Sequence, residues 1–224
     1  MDTLRRTLGP NTSVIPASAE EVFIEATPNA DQSYACVLNG HTVGYRLRDA
    51  TGRLVNERAV NDGVRHGPER WWGSDGHLEF ETSYVNGLEH GVARQWCQGR
   101  LVGSYQLEHG TGVDLWRRCT GTLSEERHYQ QGRRHGFERW WTGDDATVWE
   151  EGHSWHDEPH GICRAWNARG RLRRGYPQYM IHGRRVSKRQ YLKAAASDPS
   201  LPPFRAADTA PQRPLPREYR DQCR

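Results

Sequence analysis

The sequence predicts an all-β protein: an elongated, single-layer antiparallel sheet of stacked β-hairpin repeats, closed by a short C-terminal helix. Three observations predict it. Glycine recurs in one frame, at Gly44, Gly67, Gly91, Gly112, Gly136, Gly161 and Gly183, with spacings of 23, 24, 21, 24, 25 and 22 residues, a period range that marks repeat arrays. Each interval carries two turn signals, which leaves two strands of ordinary length. The chain has nine Trp and nine Tyr but an apolar fraction of only 35% and a mean hydropathy of −0.93, so aromatic rings must carry the packing.

Taken in order, residues 1–19 show no strand or helix pattern and are expected to be disordered. Residues 20–38 hold two short β-rich runs, Glu21 to Glu25 and Tyr34 to Leu38, which read as N-terminal capping strands. The hairpin repeats span 39–186. The first turn of the unit is Asn39-Gly40, Asp62-Gly63, Asn86-Gly87 and Gln131-Gly132; Asn-Gly and Asp-Gly suit the positive φ of a tight hairpin turn. The second is a Gly-x-Leu element at Gly52, Gly76, Gly99, Gly121 and Gly170, replaced by Asp144-Asp145 in the Gly136 copy. Ser187 with Gln190 forms a capping-box pattern that opens a helix through Tyr191 and Leu192 to Ala196, stopped before Asp198-Pro199. Residues 187–204 are thus a helix and a Pro-rich cap. Six of the twelve prolines fall from Pro199 onward, and 205–224 reads as a disordered basic tail.

Side chains of a strand alternate faces, so only even offsets share one. The residue three after the anchor glycine is Arg and the residue five after it is Trp in four copies: Arg70/Trp72, Arg94/Trp96, Arg139/Trp141 and Arg164/Trp166. Each pair therefore shares a face. Stacked copies would align these side chains into a strip of guanidinium and aromatic groups, the residue types that dominate interface hot spots. The eight residues are the candidate partner-binding set. Gly67, Gly91, Gly136, Gly161 and Gly183 are candidate structural turn residues. A wide aromatic face exceeds what a monomer usually exposes, so the strip is expected to dock another protein or a second copy of the chain.

From Asn39 to Gly183 the recurring order Asn-Gly-x-x-His-Gly, Trp, Gly-x-Leu, Tyr resembles the MORN repeats, specifically their bacterial variant. The resemblance implies a hairpin-repeat sheet and, through the bacterial YwqK-type proteins, an antitoxin-like or scaffold role. The Gly112 copy departs from the Arg-x-Trp pattern, with Leu115-Trp116.

Catalysis is not expected. The paired carboxylates Glu79/Glu81, Glu125/Glu126 and Glu150/Glu151 read as a polar outer face, because an open sheet offers no cleft in which to raise one pKa. No P-loop, G-x-S-x-G or dinucleotide fingerprint is present, so no cofactor is implied. His66, His90, His135, His160 and His182 precede anchor glycines. Equivalent positions two strands apart lie about 9.6 Å from one another, too far for shared metal ligation, and they read as turn histidines. Cys163 and His160 fall on opposite faces and make no nucleophile–base pair.

The formal net charge is +3, with ten Lys/Arg against four acids from Arg184 to Arg224. The basic C-terminal end, from Arg169 on, is the alternative site, for anionic phospholipid or nucleic acid. Five widely spaced cysteines without a C-x-x-C pair fit a reducing compartment. No apolar stretch approaches the length of a spanning helix, and the start lacks a leader pattern. Together these predict a cytoplasmic location.

Overall fold

In the computed structural model, residues 13–28 and 30–221 are described. The expectations for 1–12 and 222–224, and for Cys223, lie outside them. The chain divides into two compact units at Leu101/Val102. The fold class is all-β and antiparallel, as expected. The first unit runs β1 (Glu20–Ala26), β2 (Gln32–Leu38), β3 (His41–Arg48), β4 (Leu54–Asn61), β5 (Val64–Trp72), β6 (Leu78–Val85), β7 (Leu88–Glu89) and β8 (Gly91–Cys97). Neighbours in sequence pair in space from β1 to β7, and β6 also pairs with β8. Short hairpin connections permit no other order.

The division falls within β9 (Arg100–Glu108), and the second unit continues with β10 (Thr111–Arg117), β11 (Leu123–Gln130), β12 (Arg133–Trp141), β13 (Val148–Trp155), β14 (Glu158–Pro159), β15 (Gly161–Ala165), β16 (Gln178–Ile181) and β17 (Arg184–Val186). These too pair antiparallel in chain order from β9 to β14, β13 pairs with β15, and β15 to β17 form the last hairpins. Helix α1 (Lys188–Ala195) has the expected capping box: Ser187 accepts from the Gln190 backbone N–H, and the Gln190 side chain accepts from the Ser187 N–H. Its Tyr191 is fully buried in a cluster with Ile162, Tyr179 and Leu201. The Tyr191 hydroxyl donates to the Pro202 carbonyl at 2.6 Å, which pins the Pro-rich segment under the helix.

The tight turns are where the sequence put them. Asn39/Gly40, Asp62/Gly63, Asn86/Gly87 and Gln131/Gly132 all have positive φ at both residues, the geometry whose twist matches the flanking strands. The Asp144-Asp145 replacement works as a turn because Asp144 Oδ1 accepts from the backbone N–H groups of Ala146 and Thr147 at 3.0 and 2.7 Å. Four of the anchor glycines need correction. Gly67 and Gly136 lie inside β5 and β12, and Gly91 and Gly161 open β8 and β15; only Gly183 is in a turn. They have φ between +100 and +155 and sit against the residue eight positions earlier: a Cβ on Gly161 would lie 2.6 Å from His153 Cβ. Their role is close strand contact rather than chain reversal.

Both ends of the described chain also differ from expectation. Ser13 to Ile15 are held on the first unit: Val14 N–H donates to Glu57 Oε2 at 2.7 Å, and Ile15 is 2% exposed. The tail beyond 204 forms a 3-10 turn (Ala206–Thr209) and α2 (Arg217–Asp221), with Pro211, Leu215 and Tyr219 buried. Composition favours disorder only where nothing offers the segment a specific partner; here buried carboxylates of the sheet do.

Candidate functional site

The strand registers align the anchor-plus-three arginines with glutamates, one per strand. In the first unit the cross-strand row is Arg46, Glu57, Arg70, Glu81, Arg94. In the second it is Glu126, Arg139, Glu151, Arg164. Alternating charges directly opposite one another stabilise a sheet, and burial makes their pairing obligatory. Arg70 Nε donates to Glu81 Oε2 at 2.6 Å, and Arg46 Nε to Glu57 Oε1 at 2.9 Å. Arg139 bridges Glu126 and Glu151 at 2.9 and 2.8 Å, and Arg164 reaches Glu151 at 2.9 Å.

This overturns the reading of the second-strand carboxylates as an outer polar face. Glu126 and Glu151 are 1% and 2% exposed. Parity alone shows that Glu125/Glu126 and Glu150/Glu151 face opposite ways, but the face that is covered depends on what packs against it. Burial alone would raise the Glu126 and Glu151 carboxyls; for Glu126 the bonds from His128 and Arg139 outweigh burial and lower its pKa. For Glu151 the bonds from Arg213 and Arg139 bring it down to about 2.

The predicted Arg/Trp strip is therefore only partly a surface. Trp141 and Trp166 are buried, as are Arg70 and Arg164; Trp72, Trp96, Arg94 and Arg139 are half-buried. A register shift brings Trp72 opposite Leu78 and Trp141 opposite Val148, so these rings pack on the aliphatic residue that follows the second turn. The Arg139 guanidinium lies 4.3 Å from the Phe137 ring. In the Gly112 copy Leu115 stands opposite Glu126, which ends the charge row there.

In the second unit an extended segment lies on the row. Arg213 Nε and Nη2 donate to Glu151 Oε2 and Oε1 at 2.8 and 2.9 Å, a bidentate pair, and its guanidinium is 5.4 Å from the Trp166 ring. Val148 N–H donates to the Pro211 carbonyl at 3.0 Å and Arg213 N–H to the Ala146 carbonyl at 2.8 Å. Trp166 Nε1–H donates to the Thr209 carbonyl at 2.7 Å, the Tyr219 hydroxyl to Glu126 at 3.3 Å, and Arg117 to the Tyr219 carbonyl. Asp208 lies 3.7 Å from Arg164. Sequence reasoning missed Glu126, Glu151 and Arg213 together. The signal was available for the glutamates, whose spacing matches the arginines, but not for Arg213, which no repeat contains.

The histidines stack more closely than strand spacing predicts. Successive tight turns hydrogen-bond to one another, Gly87 N–H to Arg65 O, Gly132 N–H to Gly110 O and Gly183 N–H to Pro159 O at 2.8 to 2.9 Å, so equivalent turn residues meet directly. His160 and His182 rings lie 4.2 Å apart, with Asp198 beside them. The donor set suits a metal, but the hydrogen bonds do not. His160 Nδ1 accepts from the His182 backbone N–H at 3.0 Å, which puts the ring proton on Nε2, facing Ser200 Oγ at 2.9 Å. A metal needs a ring nitrogen with a free lone pair, and in His160 the proton-free nitrogen, Nδ1, is already taken by the His182 N–H. These contacts make His160 a turn-holding residue.

Among the cysteines, Cys36 and Cys163 are free, whereas Cys97 and Cys119 are disulfide-bonded. The cysteine count and spacing fit a reducing compartment; two disulfide-bonded cysteines run against that reading. Among the described residues no helix is long and apolar enough to cross a membrane.

The class defined by these features is an antiparallel β-hairpin sheet protein with buried, alternating Arg/Glu rows. A scan of protein-family models finds no match, and a search of curated proteins finds no significant relative.

Proposed function

We propose that the chain is a non-catalytic, MORN-type interaction protein whose charge rows receive extended segments of polypeptide. The observation that carries this reading is that both rows already hold a segment from outside the repeats: residues 13–15 at Glu57 in the first unit, and residues 208–219, extended around Arg213, at Glu151 and Glu126 in the second. Main-chain bonds to a sheet together with side-chain anchors are a recurrent mode of peptide recognition. The non-catalytic reading is supported by the carboxylates, which are tied to arginines and depressed in pKa rather than raised. Burial pushes the Cys163 thiol up, away from the reactive thiolate. An antitoxin-like or scaffold role is the form of this function that the repeat resemblance implies.

The test is retention of partners from native lysate on the immobilised full chain, at low and high salt, beside the Trp72→Ala/Trp96→Ala variant. A protein retained at high salt by the parent and lost from the variant supports the reading; equal retention by both removes the strip from it. A second reading rests on the exposed Arg169, Arg171, Arg174, Arg184, Arg185 and Arg189 of the second unit, which form no ion pair among the described residues. It predicts anionic lipid or nucleic acid released steeply by salt.

A further inference from the structure

We infer that the C-terminal segment Asp208–Tyr219 is an exchangeable ligand of the second unit's row, and that the row's partner in trans is an extended segment presenting one arginine between prolines. The inference rests on the interaction-protein reading above and names the chemistry of the occupant.

The segment is held as a bound peptide is held, by anchors spaced along its length. Its 3-10 turn contributes no buried residue, and Gln212, Pro214, Arg217 and Glu218 are exposed. Attachment comes from the Arg213 anchor, two main-chain bonds, the side-chain contacts of Trp166 with Thr209, Arg164 with Asp208, and Arg117 and Glu126 with Tyr219, and the buried Pro211, Leu215 and Tyr219. Arg213 fits a clamp made by Glu151 below and Trp166 alongside. That geometry selects the planar, five-donor guanidinium over an ammonium. The Pro211 and Leu215 side chains are buried on either side of it, two residues away in each direction, as an extended chain requires. Pro211 and Pro214 restrict the free segment toward extended conformations, so less freedom is lost on docking. The exposed stretch Arg205–Ala207 connects the segment to the α1 cap and permits release without disturbing Tyr191 and Leu201. A tethered segment competes at an effective concentration of order millimolar, so a partner must bear the same anchor to displace it.

A cleavage site placed in the exposed Arg205–Ala207 stretch of the full chain allows the test. After cutting, a fluorescein-labelled peptide of residues 205–221 is added, and its anisotropy is followed alongside hydrogen exchange of residues 111–165. The expected result is that the labelled peptide replaces the cut segment, that the same peptide carrying Arg213→Ala binds at least ten-fold more weakly, and that Arg213→Lys does not restore it. In the uncut full chain, Arg213→Ala should admit the labelled peptide at least ten-fold more tightly than the parent does. The inference is overturned if the cut segment stays bound without exchange while the sheet remains protected, or if cutting or releasing it unfolds residues 111–165, since either makes it a fixed part of the fold. Equal binding of the Arg213→Ala peptide overturns the arginine anchor. Because the Trp72→Ala/Trp96→Ala comparison concerns the first unit, a failure here leaves that result standing, and the two failures are separable.

Discussion

Replacing Glu151 by Gln tests the energetic centre of the second unit. Glu151 is 2% exposed and takes Arg139, Arg164 and Arg213 at 2.8 to 2.9 Å. Arg139 keeps Glu126 in the variant and Arg164 keeps Asp208, but Arg213 loses its only carboxylate. The Glu151 pKa of about 2, against an ordinary 4.5, corresponds to roughly 3 kcal/mol at about 1.36 kcal/mol per unit. Removing one member of a buried ion pair costs about 3–5 kcal/mol by the independent route. A loss of about 3 kcal/mol is therefore expected at pH 7, read by urea unfolding with hydrogen exchange assigning it to residues 123–165. The sign with pH follows from the direction of the shift. A depressed carboxylate contributes fully above 4.5 and loses its contribution as pH falls toward 2, so the parent and Glu151→Gln curves should converge over that window. Curves that stay parallel, or a loss at pH 7 below about 1 kcal/mol, would refute the claim that the row is desolvated and paired.

Three further outcomes are expected. Gly110→Ala should destabilise the second unit more than Gly121→Ala: both have positive φ, worth roughly 1–2 kcal/mol of strain, but a Cβ at Gly110 also overlaps the Gly132 backbone nitrogen while Gly121 faces open space. Thermal unfolding of the two variants compares them directly. Alkylation of the denatured, unreduced chain should label Cys36 and Cys163 and spare Cys97 and Cys119, as peptide mass mapping would show; labelling at Cys97 would contradict the disulfide. Trp166→Phe removes the N–H that holds the Thr209 carbonyl at 2.7 Å. Limited proteolysis should then cut residues 205–210 several-fold faster, consistent with a lost hydrogen bond of about 1 kcal/mol, with the hairpins still protected.

The local grammar of this chain was legible in its residues. Asn86-Gly87 and its counterparts demand positive φ whatever surrounds them, and Ser187 with Gln190 closes its box within one helical turn. The antiparallel hairpin order follows from such turns, because two residues can connect only neighbouring strands. Register was half legible: parity put Arg139 with Trp141, but the partner of Arg139 depends on which strand residue lies opposite, and that is Glu126 on one side and Glu151 on the other. What the tertiary structure alone decided is which face is covered. Glu150 and Glu151 are adjacent and chemically identical, yet Glu151 is buried and Glu150 only half-buried. Part of the difference comes from a segment 62 residues away, whose composition argues for disorder and whose Arg213 satisfies a desolvated carboxylate. Burial is a sum over distant contacts, and no pattern confined to a strand contains them.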